Sequence, residues 1–119
     1  MPFTDNQLNA LRHMLGITDP SKKIPEPYRN YCAAPKGDTL MQSLEALGAV
    51  RCYRRDSQYD WYTATASGRA AAMASYKALR WPKPRRVYHA FLSLRDVFPD
   101  LTFKQFLSDP RYAETRQTA

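Results

Sequence analysis

The ten residues from Lys77 to Arg86 hold five cations, Lys77, Arg80, Lys83, Arg85 and Arg86, around Trp81, and no acid. An indole among positive side chains suits phosphate contact combined with stacking on a base. Each phosphate neutralised in this way releases counterions and makes binding salt dependent. The same residues also fit a plainer arrangement: Trp81 buried as a plug at the corner made by Pro82 and Pro84, with the cations solvated around it. A second cluster, Arg51, Arg54 and Arg55, could clamp a nucleic-acid backbone or reach a minor groove. Asp56 and Asp60 offset part of that charge, and exposed hairpins carry alternating charge without any binding role.

Chemistry of other kinds has little to build on. His13 and His89 have no Ser, Cys or acidic residue placed by sequence as a catalytic partner, so neither reads as a general base. Cys32 and Cys52 sit in apolar-aromatic surroundings and read as reduced, small hydrophobes. With two cysteines and two histidines in the chain, no group has the spacing of a zinc site. The expectation is therefore a protein without catalytic residues, metal or cofactor. Tyr28, Tyr31, Tyr53, Tyr59, Trp61 and Tyr62 form a different kind of surplus. Alternating strand residues cannot all face inward, so some of these rings must be exposed. Aromatic and arginine surfaces favour protein interfaces, whereas cross-strand pairing is the structural alternative.

Bulk properties narrow the class of partner. The chain has 119 residues, 44% of them hydrophobic and 13% aromatic, enough for one ordinary core. No apolar run reaches the length of a membrane span, and the N-terminal residues lack a secretory pattern, so a cytoplasmic protein without membrane contact is expected. The net charge is +7, and its placement is uneven. Residues 1–50 hold five basic and five acidic side chains, while residues 51–119 hold thirteen basic and six acidic. A basic half favours an anionic partner, nucleic acid above all, although positive charge also serves solubility.

The elements that must position these side chains are well marked. Thr4 and Gln7 make a capping box between Phe3 and Leu8, and Leu8, Leu11 and Leu15 line one face of a helix over residues 5–15 that stops at Gly16. Pro20, Pro25, Pro27 and Pro35 prevent a long helix in the next stretch, where residues 28–34 read as a short extended or single-turn segment. Asp38 caps a helix over residues 39–47, with Leu40, Met41, Leu44 and Leu47 apolar and Gly48 at its end. The period then changes to two: Val50 and Cys52 on one face, Arg51 and Tyr53 on the other, a turn at Asp56-Ser57-Gln58, and a second strand from Tyr59 to Thr63. Thr65 caps an alanine-rich helix over residues 66–80. A helix opening at Pro84 carries an apolar stripe of Val87, Ala90, Phe91, Leu94 and Phe98. A short helix with its own capping box at Thr102 and Gln105 follows, then a polar, fraying tail after Pro110.

The run Leu44-Glu45-Ala46-Leu47-Gly48-Ala49-Val50, followed by Tyr62-Thr63-Ala64-Thr65-Ala66-Ser67-Gly68-Arg69, resembles winged-helix proteins. The resemblance covers about a third of the chain and implies an α+β, mainly α fold: a winged-helix-like domain over residues 1–80 with a two-stranded hairpin. Residues 81–119 would then be a helical extension of two additional helices, packing on that domain or on a second subunit. In such a fold residues 39–47 would enter a major groove, presenting Thr39, Gln42, Ser43, Glu45 and Ala46. Gln42 and Ser43 could read bases, but none of the five is basic. The first helix of the usual helix-turn-helix is shortened or replaced by the proline-rich stretch, a departure from the pattern. A looser likeness, carried by Leu11-Arg12-His13-Met14-Leu15-Gly16 and Tyr28-Arg29-Asn30-Tyr31, looks like small phage and prophage proteins and implies a bacterial host cytoplasm. Two functions are expected from these features. One is nucleic-acid binding in a regulatory or accessory role through the hairpin and residues 77–86. The other is inhibition of a bacterial defence system, anti-CRISPR-like, by docking on a host protein or ribonucleoprotein complex. Ala70, Ala71 and Ala74 would also admit a close helix, so a homodimer is a further expectation.

Overall fold

Thr4 opens the first helix as its sequence demands. Its hydroxyl accepts from the Gln7 backbone N–H at 3.2 Å, and the Gln7 side chain returns the bond to the Thr4 N–H at 2.8 Å. The computed structural model describes residues 3–119, which form an α+β fold with six α-helices and one three-stranded sheet among them. Two compact units result. One comprises the described residues up to Thr18 with Pro25–Ala78; the other comprises Asp19–Ile24 with Leu79–Ala119.

The first unit runs α1 (Asp5–Leu15), β1 (Cys32–Pro35), α2 (Thr39–Ala46), β2 (Val50–Arg55), β3 (Tyr59–Ala64) and α3 (Ala66–Leu79), whose last residue passes into the second unit. Gly16, at φ 75°, ends α1 in the left-handed conformation, and a Cβ there would also collide with the Tyr28 ring. The core gathers Leu11, Met14 and Leu15 of α1, Met41 and Leu44 of α2, Val50, Tyr62 and Ala64 of the sheet, and Ala71 and Ala72 of α3. Thr65 caps α3 through the Gly68 N–H at 3.3 Å and donates to the Gly48 carbonyl at 2.6 Å. Gly68 completes that corner: its missing Cβ leaves room for the Ala49 carbonyl.

The sheet has three strands in the order β1-β3-β2, all antiparallel, where the sequence pointed to two. Cys32–Pro35 contributes the third. Pro35 has no N–H to give a ladder, but an edge strand tolerates that loss, and flanking prolines hide its period. Leu47 also departs from expectation. It lies past the end of α2 and is exposed, so the apolar face of that helix is carried by Met41 and Leu44.

The second unit contains α4 (Lys83–Arg95), α5 (Phe103–Ser108), a 3-10 turn (Pro110–Tyr112) and α6 (Ala113–Thr118). Phe91 and Phe106 are buried, and their rings meet Phe103 at 5.2 and 6.4 Å. The α4 stripe is shorter than expected: the helix ends at Arg95, and Phe98 lies beyond it, half exposed. The tail expected to fray is folded, which makes three helices here where two were anticipated. Pro110 starts the turn with Asp109 as its cap, the Tyr112 ring packs 5.7 Å from Phe106, and Arg116 donates to the carbonyls of Phe106 and Asp109. No helix among the described residues is long and apolar enough to cross a membrane.

Candidate nucleic-acid interface

Alternation along β3 sorts its aromatics onto two faces. Tyr62 and Ala64 point into the core, so Tyr59, Trp61 and Thr63 point away from it. The register places Ala33 of β1 and Arg54 of β2 on either side of Trp61, and Arg51 beside Thr63. A β-bulge between Cys52 and Arg54 makes this possible. One extra residue, Tyr53, shifts the alternation of β2, so that Arg54 joins the outward face. Without the bulge, Arg51, Tyr53 and Arg55 would share that face, as the plain alternation implied.

The outward face therefore carries a row of rings with arginines along one side. Tyr31 lies 6.4 Å from Trp61 and Tyr59 another 6.4 Å from it, and the Arg54 guanidinium approaches the indole to 5.6 Å. Tyr31 is 51% and Tyr59 41% exposed, with Trp61 half-buried between them. The indole is held in place by the turn: its Nε1 donates to Asp56 at 3.0 Å, and the other Asp56 oxygen accepts from the N–H groups of Gln58 and Tyr59. These bonds, the indole's first, hold the Asp56 carboxyl down at about 2. Arg55 is on the other side, 3.9 Å from Asp60, which also pairs with Lys36 at 2.9 Å. Arg51 and Arg54 are exposed and make no ion pair among the described residues.

The helix expected to read bases is less suited to that task than its sequence implied. Gln42 is exposed. Ser43, expected to face outward, is half-buried against α1, where it accepts from the Gln7 amide at 3.0 Å and donates to the Leu40 carbonyl at 2.6 Å. Glu45 accepts from the Cys52 N–H at 3.2 Å and places an acid at the foot of the hairpin.

The 77–86 cluster is divided between the two units. Lys77 belongs to the first unit and is exposed, while Arg80, Trp81, Lys83, Arg85 and Arg86 belong to the second. There Arg86 is buried, at 7% exposure, and donates to the Trp81 carbonyl at 2.6 Å. Arg80 donates to the Lys23 carbonyl at 2.8 Å. The Arg85 guanidinium covers the Trp81 ring at 3.8 Å, and His89 meets that ring edge-on at 5.6 Å. Trp81 is half-buried, neither a full plug nor an open stacking face. Lys83 and Arg85 are the exposed cations of the group in this unit.

An open groove of about 580 Å³ also lies between α1, β1 and the start of α2, beside His13, Tyr31, Cys32 and Asp38. Burial, with a smaller push from Asp38, raises the Cys32 thiol above its ordinary value, which disfavours the reactive thiolate. The chain matches no protein-family model, no curated protein and no solved structure.

Proposed function

We propose that this chain is a winged-helix-like protein that binds nucleic acid through its three-stranded sheet. The scaffold part of the reading is supported by the element order α1-β1-α2-β2-β3-α3, with β1 joining the hairpin beside β3. The binding part is carried by one observation: Arg51 and Arg54 stand exposed on the outward sheet face and make no ion pair among the described residues. Cations placed in this way are available to phosphates. The test is the affinity for labelled nucleic acid across a salt series. A linear fall of log affinity with log salt, reduced in an Arg51→Gln, Arg54→Gln double variant, is the expected result. Binding indifferent to salt, or to both substitutions, refutes the reading.

A second reading, interaction with a protein, rests on the second unit. Val97 is 69% and Phe98 50% exposed there, and Leu92 is exposed on the outer side of α4. Such apolar exposure favours a protein partner or a second copy of the chain. Sedimentation over a range of concentrations tests self-association, and a Phe98→Ser variant identifies the surface. A monomer at every concentration removes the second copy from consideration.

A further inference from the structure

We propose that the outward face of the sheet takes single-stranded nucleic acid, with bases seated on Tyr59, Trp61 and Tyr31 and the strand's phosphates held by Arg51 and Arg54. This rests on the nucleic-acid reading above and names the form of the ligand.

The spacing of the rings points to an unstacked strand. Their centroids are 6.4 Å apart, nearly twice the about 3.4 Å between stacked bases along one strand of a duplex. A duplex hides its base faces against one another and offers only edges in its grooves. Exposed rings gain nothing from such edges, whereas a single strand offers a π-face at every base. Tyr59 meets the indole edge-on at 74° and Tyr31 is tilted from it by 35°, so the rings offer separate faces and no continuous platform. The indole is fixed by Asp56, and Tyr59 stands two residues before it on the same strand, so neither depends on a mobile loop for its position.

Duplex reading is poorly equipped. A groove-reading helix needs donors and cations on its exposed side, and the exposed side of α2 offers Thr39 and Gln42 as donors, no cation, and Glu45 as an acid. The sheet face has the opposite character. Asp60 lies on the opposite face of the sheet, paired with Lys36 and Arg55, and the Asp56 carboxylate beside the rings has the Arg54 cation acting on it. The Arg54 guanidinium stands over the indole at 5.6 Å, so a base taking that face would displace it towards the strand's phosphates.

The experiment compares an oligothymidylate, which cannot pair with itself, with a blunt duplex of the same length, using the full chain. The single strand is expected to bind more tightly and to quench the part of the tryptophan emission that a Trp61→Phe variant lacks. Tyr31→Ala and Tyr59→Ala should each weaken single-strand binding by at least about fivefold. Tyr31→Phe and Tyr59→Phe should restore it, because they keep the ring. Circular dichroism confirms that each variant is folded, as expected for exposed side chains. Equal or tighter binding of the duplex, or alanine variants that bind the single strand as the parent does, overturns this proposal and leaves nucleic-acid binding standing. Failure of both ligands to bind at low salt overturns the two together and leaves a protein as the partner for the aromatic face.

Discussion

Replacing Arg86 by alanine tests what this arginine does in the fold. It sits in the most basic stretch of the chain, yet it is buried and donates through Nη1 to the Trp81 carbonyl and through Nε, at 3.5 Å, to the main-chain oxygen of Ala119. Its removal should therefore act on stability and not on binding. Losing a charge-assisted hydrogen bond of this kind costs about 1.5–3 kcal/mol, and the buried methylenes beyond Cβ add about 0.8 kcal/mol each. Part of this is offset because the guanidinium no longer has to leave water on folding. The net expectation for Arg86→Ala is a loss of about 2–3 kcal/mol. Arg85→Ala is the matched control one position away. It removes an exposed cation over the Trp81 ring, worth about 0.5–1 kcal/mol. Urea unfolding followed by circular dichroism reads both. The Arg86 variant should shift its midpoint well below that of the Arg85 variant, with little change in slope. Nucleic-acid affinity of the folded Arg86 variant should match the parent. An unchanged midpoint together with a clear loss of affinity would show that Arg86 touches the ligand, and the structural assignment would fall.

Gly68→Ala should destabilise the first unit by about 1–3 kcal/mol, because its Cβ meets the Ala49 carbonyl; on helix propensity alone the same change should stabilise by about 1 kcal/mol, so thermal unfolding decides by sign. Asp56 has its pKa lowered in the folded state, so its contribution is present above its ordinary value of 3.8 and is lost as pH falls toward about 2. An acid titration followed by Trp61 emission should show this limb, and Asp56→Asn should abolish it. Arg51→Gln and Arg54→Gln should each lower the salt slope of nucleic-acid binding by roughly 0.7–0.9 for every phosphate the arginine had neutralised; a slope unchanged in the double variant would remove the sheet face from the interface. Thr102→Ala should cost about 1 kcal/mol by opening the α5 capping box, which replacement by Ser should keep closed, as read by the unfolding midpoint of each variant.

Local signals were the legible part of the fold. The boxes at Thr4 and Thr102, the cap at Asp38 and the hairpin turn at Asp56 all involve side chains bonding within three residues, so sequence order alone contains them. What was hidden depended on distant partners. β1 exists because Cys32–Pro35 finds β3 some thirty residues later, and four residues beside prolines carry no period to announce it. The folded tail opens on a local signal, the Asp109 cap before Pro110, but it is held by Tyr112 and Arg116 reaching back six and ten residues to Phe106, beyond the range of a capping bond. The site shows the same division. Arg51 and Arg54 were identifiable as hairpin cations, but the bulge that places Arg54 with Trp61 is a property of pairing and not of the strand itself. The spacing of Tyr59 and Trp61 at i and i+2 was the signal available for the ring row, and Tyr31 joins it only through the third strand.

The distribution of charge acquires a different meaning from these bonds. Thirteen basic side chains in residues 51–119 read as one electrostatic footprint, but many of them are engaged inside the protein. Arg86 and Arg116 serve carbonyl oxygens, Arg80 holds the Lys23 carbonyl, Arg111 pairs with Asp109 at 2.7 Å, and Arg55 leans on Asp60. Cations used in this way release few counterions when a ligand arrives, so net charge overstates the electrostatic share of binding. On the sheet face that share reduces to Arg51 and Arg54. A sheet face with two arginines free to meet a phosphate backbone and three exposed or half-exposed rings must draw much of its affinity from stacking. Its binding should then persist at salt concentrations that dissociate purely electrostatic complexes, with a shallow slope instead of none. That combination follows from two cations beside three rings, and a steep slope of the kind given by about six or more neutralised phosphates would be incompatible with it.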